Sequence, residues 1–443
     1  DMASMLVEGA PDLPMYPISM IIGDNAEMKA SVIKSSYVDF KNIEIAPSKG
    51  NLSRSVNPDE VAYTYGDMYQ KDAFYPAEQI TLETPYIIRD FRGQNMVVYP
   101  YAYNPLSKTL RVYTDLRISV KKVGEDGVNK KVNLRKNNTI TPEFKASYER
   151  RFINYQSTIN RNSDFLVDEG EMLVVCVDDY LDALEPLVEW KNISGRPTKI
   201  VAASQTGTDE KLKDYLINYY KENQNLTYLL LVGEHNKLPA HSMNGGRSDN
   251  YYGMLEGDDF YEEVFVGRLS VNSLEDATNQ VNKIIYYERD IDETATWLSK
   301  GAGIGAKDGL GHNGEYDYMH INFIRDTLLH YTYTEIAQRY EKMNDPTLQD
   351  LINDFNAGVG IINYCNHGTA TSWVVTNFTN DNVKQLTNDY MLPFIWSVAC
   401  NNGEFNYEEC FAEAWMRAMN PETGAPTGAI GGMFSWILQP WLP

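Results

Sequence analysis

From about residue 165 onward, short apolar runs alternate with stretches whose apolar residues recur at helical spacing. This alternation constrains the fold more than any other feature of the chain. Residues 172–177, 199–203, 228–232, 264–269, 301–306, 359–364, 393–399 and 429–434 read as strands. Residues 181–193, 208–223, 274–289, 317–330, 346–356 and 410–419 read as helices, the first with Leu184, Leu187 and Trp190 on one face. Strands that are apolar throughout are buried on both sides, so the pattern predicts an α/β unit: a mostly parallel sheet with helices on both faces. In such sheets, chemistry gathers at the carboxyl ends of strands.

Before residue 160 the period changes to two. Leu110, Val112, Leu116, Ile118 and Val120 alternate with Arg111, Tyr113, Asp115, Arg117 and Ser119. Residues 96–103 run into a turn at Asn104-Pro105-Leu106-Ser107, and 16–22, 28–34 and 37–45 look similar. These features predict an all-β antiparallel, sandwich-like domain to about residue 145. Residues 147–164 are polar, carry Arg150, Arg151 and Arg161, and read as an exposed, cleavable linker.

The chain has 443 residues, room for two to four domains. Its 39 basic and 61 acidic residues give a net charge of −22, which argues against nucleic-acid and anionic-membrane binding. It has no apolar run of the ~18 residues that a membrane span needs. It starts at Asp1 without a signal-peptide pattern and ends after an apolar run, which reads as a fragment at both ends. Four scattered cysteines are too few for a disulfide framework and lack zinc spacing, leaving one reactive thiol among buried ones as the economical expectation.

Two of the predicted strands end in reactive residues. Ile361-Ile362-Asn363-Tyr364-Cys365-Asn366 runs into His367-Gly368, and Leu392 to Ala399 runs into Cys400. Parallel neighbours lie roughly 5 Å apart, so adjoining ends would bring His367 and Cys400 together. A thiol with a nearby base is the minimal constellation for a cysteine nucleophile. The backbone N–H groups of Gly368 and Cys400 would then hold a developing oxyanion. The plainer readings are a buried small hydrophobe and a His-Gly turn. Cys365 reads as packing; a Cys365/His367/Cys400 zinc site lacks a fourth ligand.

The run Asn363 to Trp373 resembles the catalytic-histidine segment of the gingipains, cysteine peptidase family C25. Leu392 to Phe405, Cys410-Phe411-Ala412-Glu413-Ala414 and Pro426-Thr427-Gly428 resemble its nucleophile segment, and Thr227 to Gly233 and Glu263 to Arg268 also look like that family. The resemblance is strongest to the arginine-specific members. It implies a caspase-like fold for residues 162–443, C-terminally truncated, and an inhibitory propeptide plus linker for 1–161, cut near Arg161. It implies Cys400 as nucleophile and His367 as acid/base. Asp308, in Gly305-Ala306-Lys307-Asp308-Gly309, is similar in place to the carboxylate that orients the histidine, and equally fits a turn or capping residue. Asp317 is similar to the S1 carboxylate that binds arginine and equally fits a favoured first-turn helix residue; Trp441 is similar to the tryptophan that flanks the P1 side chain, or is a rim aromatic. Asn366 departs from the family, whose arginine-specific members carry Gly there, as do Met433, Phe434 and Trp436.

The chemistry requires no cofactor. The family binds calcium, and Asp249, Asp258, Asp259 and Glu262 supply hard oxygen ligands for a structural ion, or are simply solvated. The expected whole is a secreted or cell-surface bacterial zymogen of an endopeptidase acting after Arg or another basic residue, with protein substrates and its own propeptide as partners. Its rivals are a type IX secretion sortase (a transpeptidase) and an inactive binding module on the same fold.

Overall fold

The computed structural model describes residues 2–53, 56–132, 139–159, 166–243, 245–308, 311, 314–341 and 345–439, with backbone alone at 166–167. The N-terminal part holds two antiparallel sheets. In one, Pro14–Ile22 pairs with Phe91–Val98, and Ala3–Ser4, Ile80–Leu82 and Tyr86–Ile88 complete five strands. In the other, Glu27–Lys41 pairs with Thr109–Gly124, and Tyr101–Asn104 closes three strands. The expected strands 28–34 and 37–45 are therefore one strand, bent at three register shifts.

The linker expected from residue 147 is corrected through residue 159. Pro142–Arg151 and Tyr155–Ile159 are helices. Thr141 caps the first, accepting from the Phe144 N–H, with Pro142 in its first turn. Phe144, Tyr148, Phe152 and Tyr155 recur at helical spacing and are buried against Tyr86, Ile88 and Phe91. Arg150 and Arg151 masked this apolar stripe in the sequence. Arg161 lies outside the described residues.

The parallel strands form two sheets, each with its own apolar core. The first has the order Thr198–Ala202, Glu171–Cys176, Leu226–Val232, Phe265–Leu269. The second has the order Glu335–Tyr340, Lys300–Gly305, Ile361–Cys365, Phe394–Val398, Gly431–Phe434. Glu335–Tyr340 was not foreseen, because an edge strand reading Glu-Ile-Ala-Gln-Arg-Tyr lacks the apolar run of its neighbours.

A buried polar layer joins the halves. Lys283, on the Leu274–Ile285 helix, donates to the carbonyls of Trp415, Met416 and Ala429. Burial pushes its ammonium down to about 7. Asn279 donates to the carbonyls of Arg417 and Ala418, and Arg417 pairs with Glu234 and Glu413.

The N-terminal part docks on the amino end of the first sheet. Arg89, fully buried, donates to the carbonyls of Leu226, Glu263 and Gln224 and to the Thr227 hydroxyl. Lys131 pairs with Glu256 at 2.9 Å, both side chains nearly inaccessible. Asn129 and the Ile87 N–H donate to Asp259. Part of the acidic run at 256–263 thus faces buried donors from the N-terminal part, a pairing that spacing within the run could not reveal.

Candidate active site

Three neighbouring strands of the second sheet end in register, with Gly305 opposite Cys365 and Cys365 opposite Val398. Asp308 follows the first by three residues; His367 and Cys400 follow the others by two. The His367 Nε2 lies 3.0 Å from the Asp308 Oδ2, both side chains about half exposed. A Cβ added to Gly368 would sit 2.7 Å from the Cys400 carbonyl oxygen, so the turn after His367 lies directly on the Cys400 backbone.

Each backbone is fixed by groups the sequence places beside it. The His367 carbonyl accepts from the Tyr364 hydroxyl at 2.7 Å and the Val374 N–H at 3.1 Å. Tyr364 stacks on buried Trp373 with centroids 4.5 Å apart. Trp373 donates through Nε1 to the Ser397 hydroxyl, which donates to the Asn402 Oδ1. Asn402, fully buried, donates back to the carbonyls of Thr369 and Ser372. One buried chain of hydrogen bonds therefore ties the loop carrying His367 to the loop carrying Cys400. Asn401 turns the second loop at φ +58°, a conformation Asn tolerates well. The carbonyls of Ala306 and Asp308 accept the N–H groups of Tyr318 and Asp317, donors that the start of the Asp317–Tyr331 helix would otherwise leave unpaired.

The four thiols differ in surroundings. Burial pushes Cys176 up to about 12 and Cys410 higher still, which keeps both as inert thiols. Cys365 is buried against Ile321 and Tyr340. Cys400 is the half-buried one, and its Sγ accepts the Gln439 N–H at 3.2 Å. A half-buried thiol whose backbone adjoins the turn carrying a carboxylate-held imidazole can act as a nucleophile toward an acyl carbon.

Asp317 lies beside this group and is fully buried. Its Oδ2 accepts from the Asn366 Nδ2 at 3.0 Å, and its Oδ1 lies 3.5 Å from the Cys365 Sγ. Sequence reasoning named Asn366 only as a departure; its place one residue before His367, at a strand end, was the signal that it enters the site. Trp441 and Arg161 lie outside the described residues.

The four carboxylates expected to hold calcium do not converge. Asp249 forms a bidentate pair with Arg268. Asp259 accepts from the Ile87 and Tyr261 N–H groups and the Asn129 amide, Glu262 is half-buried with its carboxyl pushed up by burial, and the Asp258 N–H binds the Asn129 side chain. Among the described residues, three ligand atoms gather within 4.8 Å only at Asp209, Glu210 and His241, where the imidazole is already paired with Asp209 at 2.8 Å. Asp249, Asp258, Asp259 and Glu262, as arranged, do not fit one ion.

Comparison with known proteins decides the family. The model of peptidase family C25 matches residues 167–436, and that of the C25 propeptide matches residues 2–159. The chain belongs to peptidase family C25. It is 40% identical over 441 residues to gingipain R2 of Porphyromonas gingivalis, covering 98% of this chain and 59% of that protein. It is 38% identical over 445 residues to gingipain R1 of the same organism, covering 98% of this chain and 44% of that one. The chain thus spans about three fifths or less of these relatives. The crystal structure of the Arg-specific cysteine proteinase gingipain R superposes with a TM-score of 0.59 at 39% identity, covering 62% of this chain and 64% of that one. The complex of pro- and mature domains from P. gingivalis gives 0.59 at 40% identity, covering 62% and 65%. The fold is accordingly the caspase-like α/β fold, preceded by antiparallel strands. No helix among the described residues is long and apolar enough to cross a membrane.

Proposed function

We propose that the chain is the zymogen of a secreted cysteine endopeptidase that cleaves proteins after arginine. The observation that carries this reading is the convergence of Asp308, His367 and Cys400 at three adjoining strand ends in a chain of family C25. The Cys400 thiolate attacks the scissile carbonyl carbon, and the oxyanion that forms is held by the N–H groups of Gly368 and Cys400. Asp308 orients His367 through Nε2, which leaves Nδ1 to protonate the leaving amine. The C–N bond breaks, an acyl-enzyme remains, and His367 then takes a proton from the water that hydrolyses the thioester. Asp317 supplies the charge that selects a basic P1 side chain, and resemblance to the arginine-specific members assigns Trp441 to the same side chain. The propeptide, 1–161, is held until the chain is cut near Arg161.

The arginine preference draws support from the 38–40% identity to gingipains R1 and R2. The test is turnover of a fluorogenic peptide panel combined with alkylation of Cys400 by iodoacetamide. Hydrolysis after Arg, abolished in Cys400→Ala, is the expected result. A product joined to an added amine rather than to water would favour a transpeptidase, and an unreactive Cys400 would favour a binding module.

A further inference from the structure

Asn366 reaches the carboxylate that the proposed function assigns to the P1 side chain. Its Nδ2 lies 3.0 Å from the Asp317 Oδ2, and the two residues are 3% and 0% exposed. The other carboxylate oxygen has the Cys365 thiol at 3.5 Å. The backbone that presents Asn366 is held on both sides: its N–H donates to the Val398 carbonyl at 3.3 Å, and the next residue is held by Tyr364 and Val374.

A guanidinium binds a carboxylate through a planar fork that takes both oxygens at once, whereas an ammonium is a point charge satisfied by one. An amide already seated on Oδ2 therefore obstructs the fork more than the point charge. The substrate's guanidinium must displace that amide or accept a one-armed contact, and a displaced buried amide loses its partner.

Resting on the proposed peptidase reading, we infer that Asn366 is a specificity-determining residue, which acts through Asp317 to narrow the preference for Arg over Lys at P1. It does so without touching the reacting atoms, so its signature is a change in substrate ratio rather than in the chemical step. Removing the side chain takes the amide off Oδ2.

The test is steady-state hydrolysis, by the full-length protein, of paired peptides that differ only in Arg or Lys at P1. Wild type, Asn366→Gly and Asn366→Ala are compared, the alanine keeping the backbone restrained should glycine loosen it. Each preparation is normalised by the fraction of Cys400 that iodoacetamide labels. The expected result is a rise of about tenfold in the Arg-to-Lys ratio of kcat/KM in both variants, carried by a lower KM for Arg at similar kcat. An unchanged or lower ratio, with turnover intact, overturns the role of Asn366 and leaves the peptidase reading standing. Turnover of neither peptide by wild type, with Cys400 unlabelled, overturns the peptidase reading and this inference with it.

Discussion

At the scale of single residues, the site rests on how few groups hold each reactive side chain. His367 has a fixed backbone and a half-exposed ring, so the Asp308 carboxylate at 3.0 Å is what orients the imidazole. Asp308→Asn keeps the shape, removes the charge and admits the wrong tautomer. It should lower kcat by about 10²-fold or more, with KM little changed, measured on an Arg-P1 peptide. Loss of less than threefold would mean that Asp308 is only a turn residue. The placement of His367, Gly368 and Cys400 at adjoining strand ends was legible from the sequence, because each closes or follows an apolar block. Asp308 and Asp317 could be named only by resemblance, since a lone Asp after a strand or at a helix start has a structural use. The reach of Asn366 to Asp317 was not legible at all: the two are 49 positions apart and meet only because a strand end abuts the first turn of the Asp317–Tyr331 helix.

At the scale of elements, the loops after Ile361–Cys365 and Phe394–Val398 behave as one unit. Their link is Asn402, which accepts from Ser397 at 2.8 Å and donates to the carbonyls of Thr369 and Ser372. Asn402→Ala leaves a buried carbonyl, a part-buried carbonyl and a buried hydroxyl short of partners, so a stability loss of about 2–4 kcal/mol in urea unfolding is expected, together with slower alkylation of Cys400. Stability within error of wild type would show that the loops hold without this network. The strands of both sheets were readable because burial on both faces removes polar alternation. Their division into two sheets was not, since a hydrophobic run does not record its neighbour. The same blindness hid Glu335–Tyr340 at an edge, and the helical stripe Phe144, Tyr148, Phe152 and Tyr155 under its covering of arginines.

At the scale of the whole molecule, the N-terminal part is fastened by cations that enter the first sheet's acidic end. Arg89 is the deepest, spending its guanidinium on three carbonyls and a hydroxyl. Arg89→Ala should leave those acceptors unpaired and cost at least about 3 kcal/mol, seen as a lower Tm and earlier loss of the N-terminal part after proteolysis. An unchanged Tm, with the N-terminal part still retained, would place the fastening elsewhere. The acidic composition argues against nucleic-acid and anionic-membrane binding. Its carboxylates at 256, 259 and 263 turn out to receive the chain's own N-terminal part.

The proposed activity, cleavage after arginine by Cys400 with His367 and Asp308, has a direct readout in the chain itself. Intact and fragment masses of the purified full-length protein, beside its Cys400→Ala variant, test it most directly. Wild type should yield fragments ending in arginine, with one cut in the region of Arg161, and the variant should remain whole under the same conditions. Identical fragment masses from both proteins, or a wild type that stays whole while its Cys400 resists iodoacetamide, would contradict it.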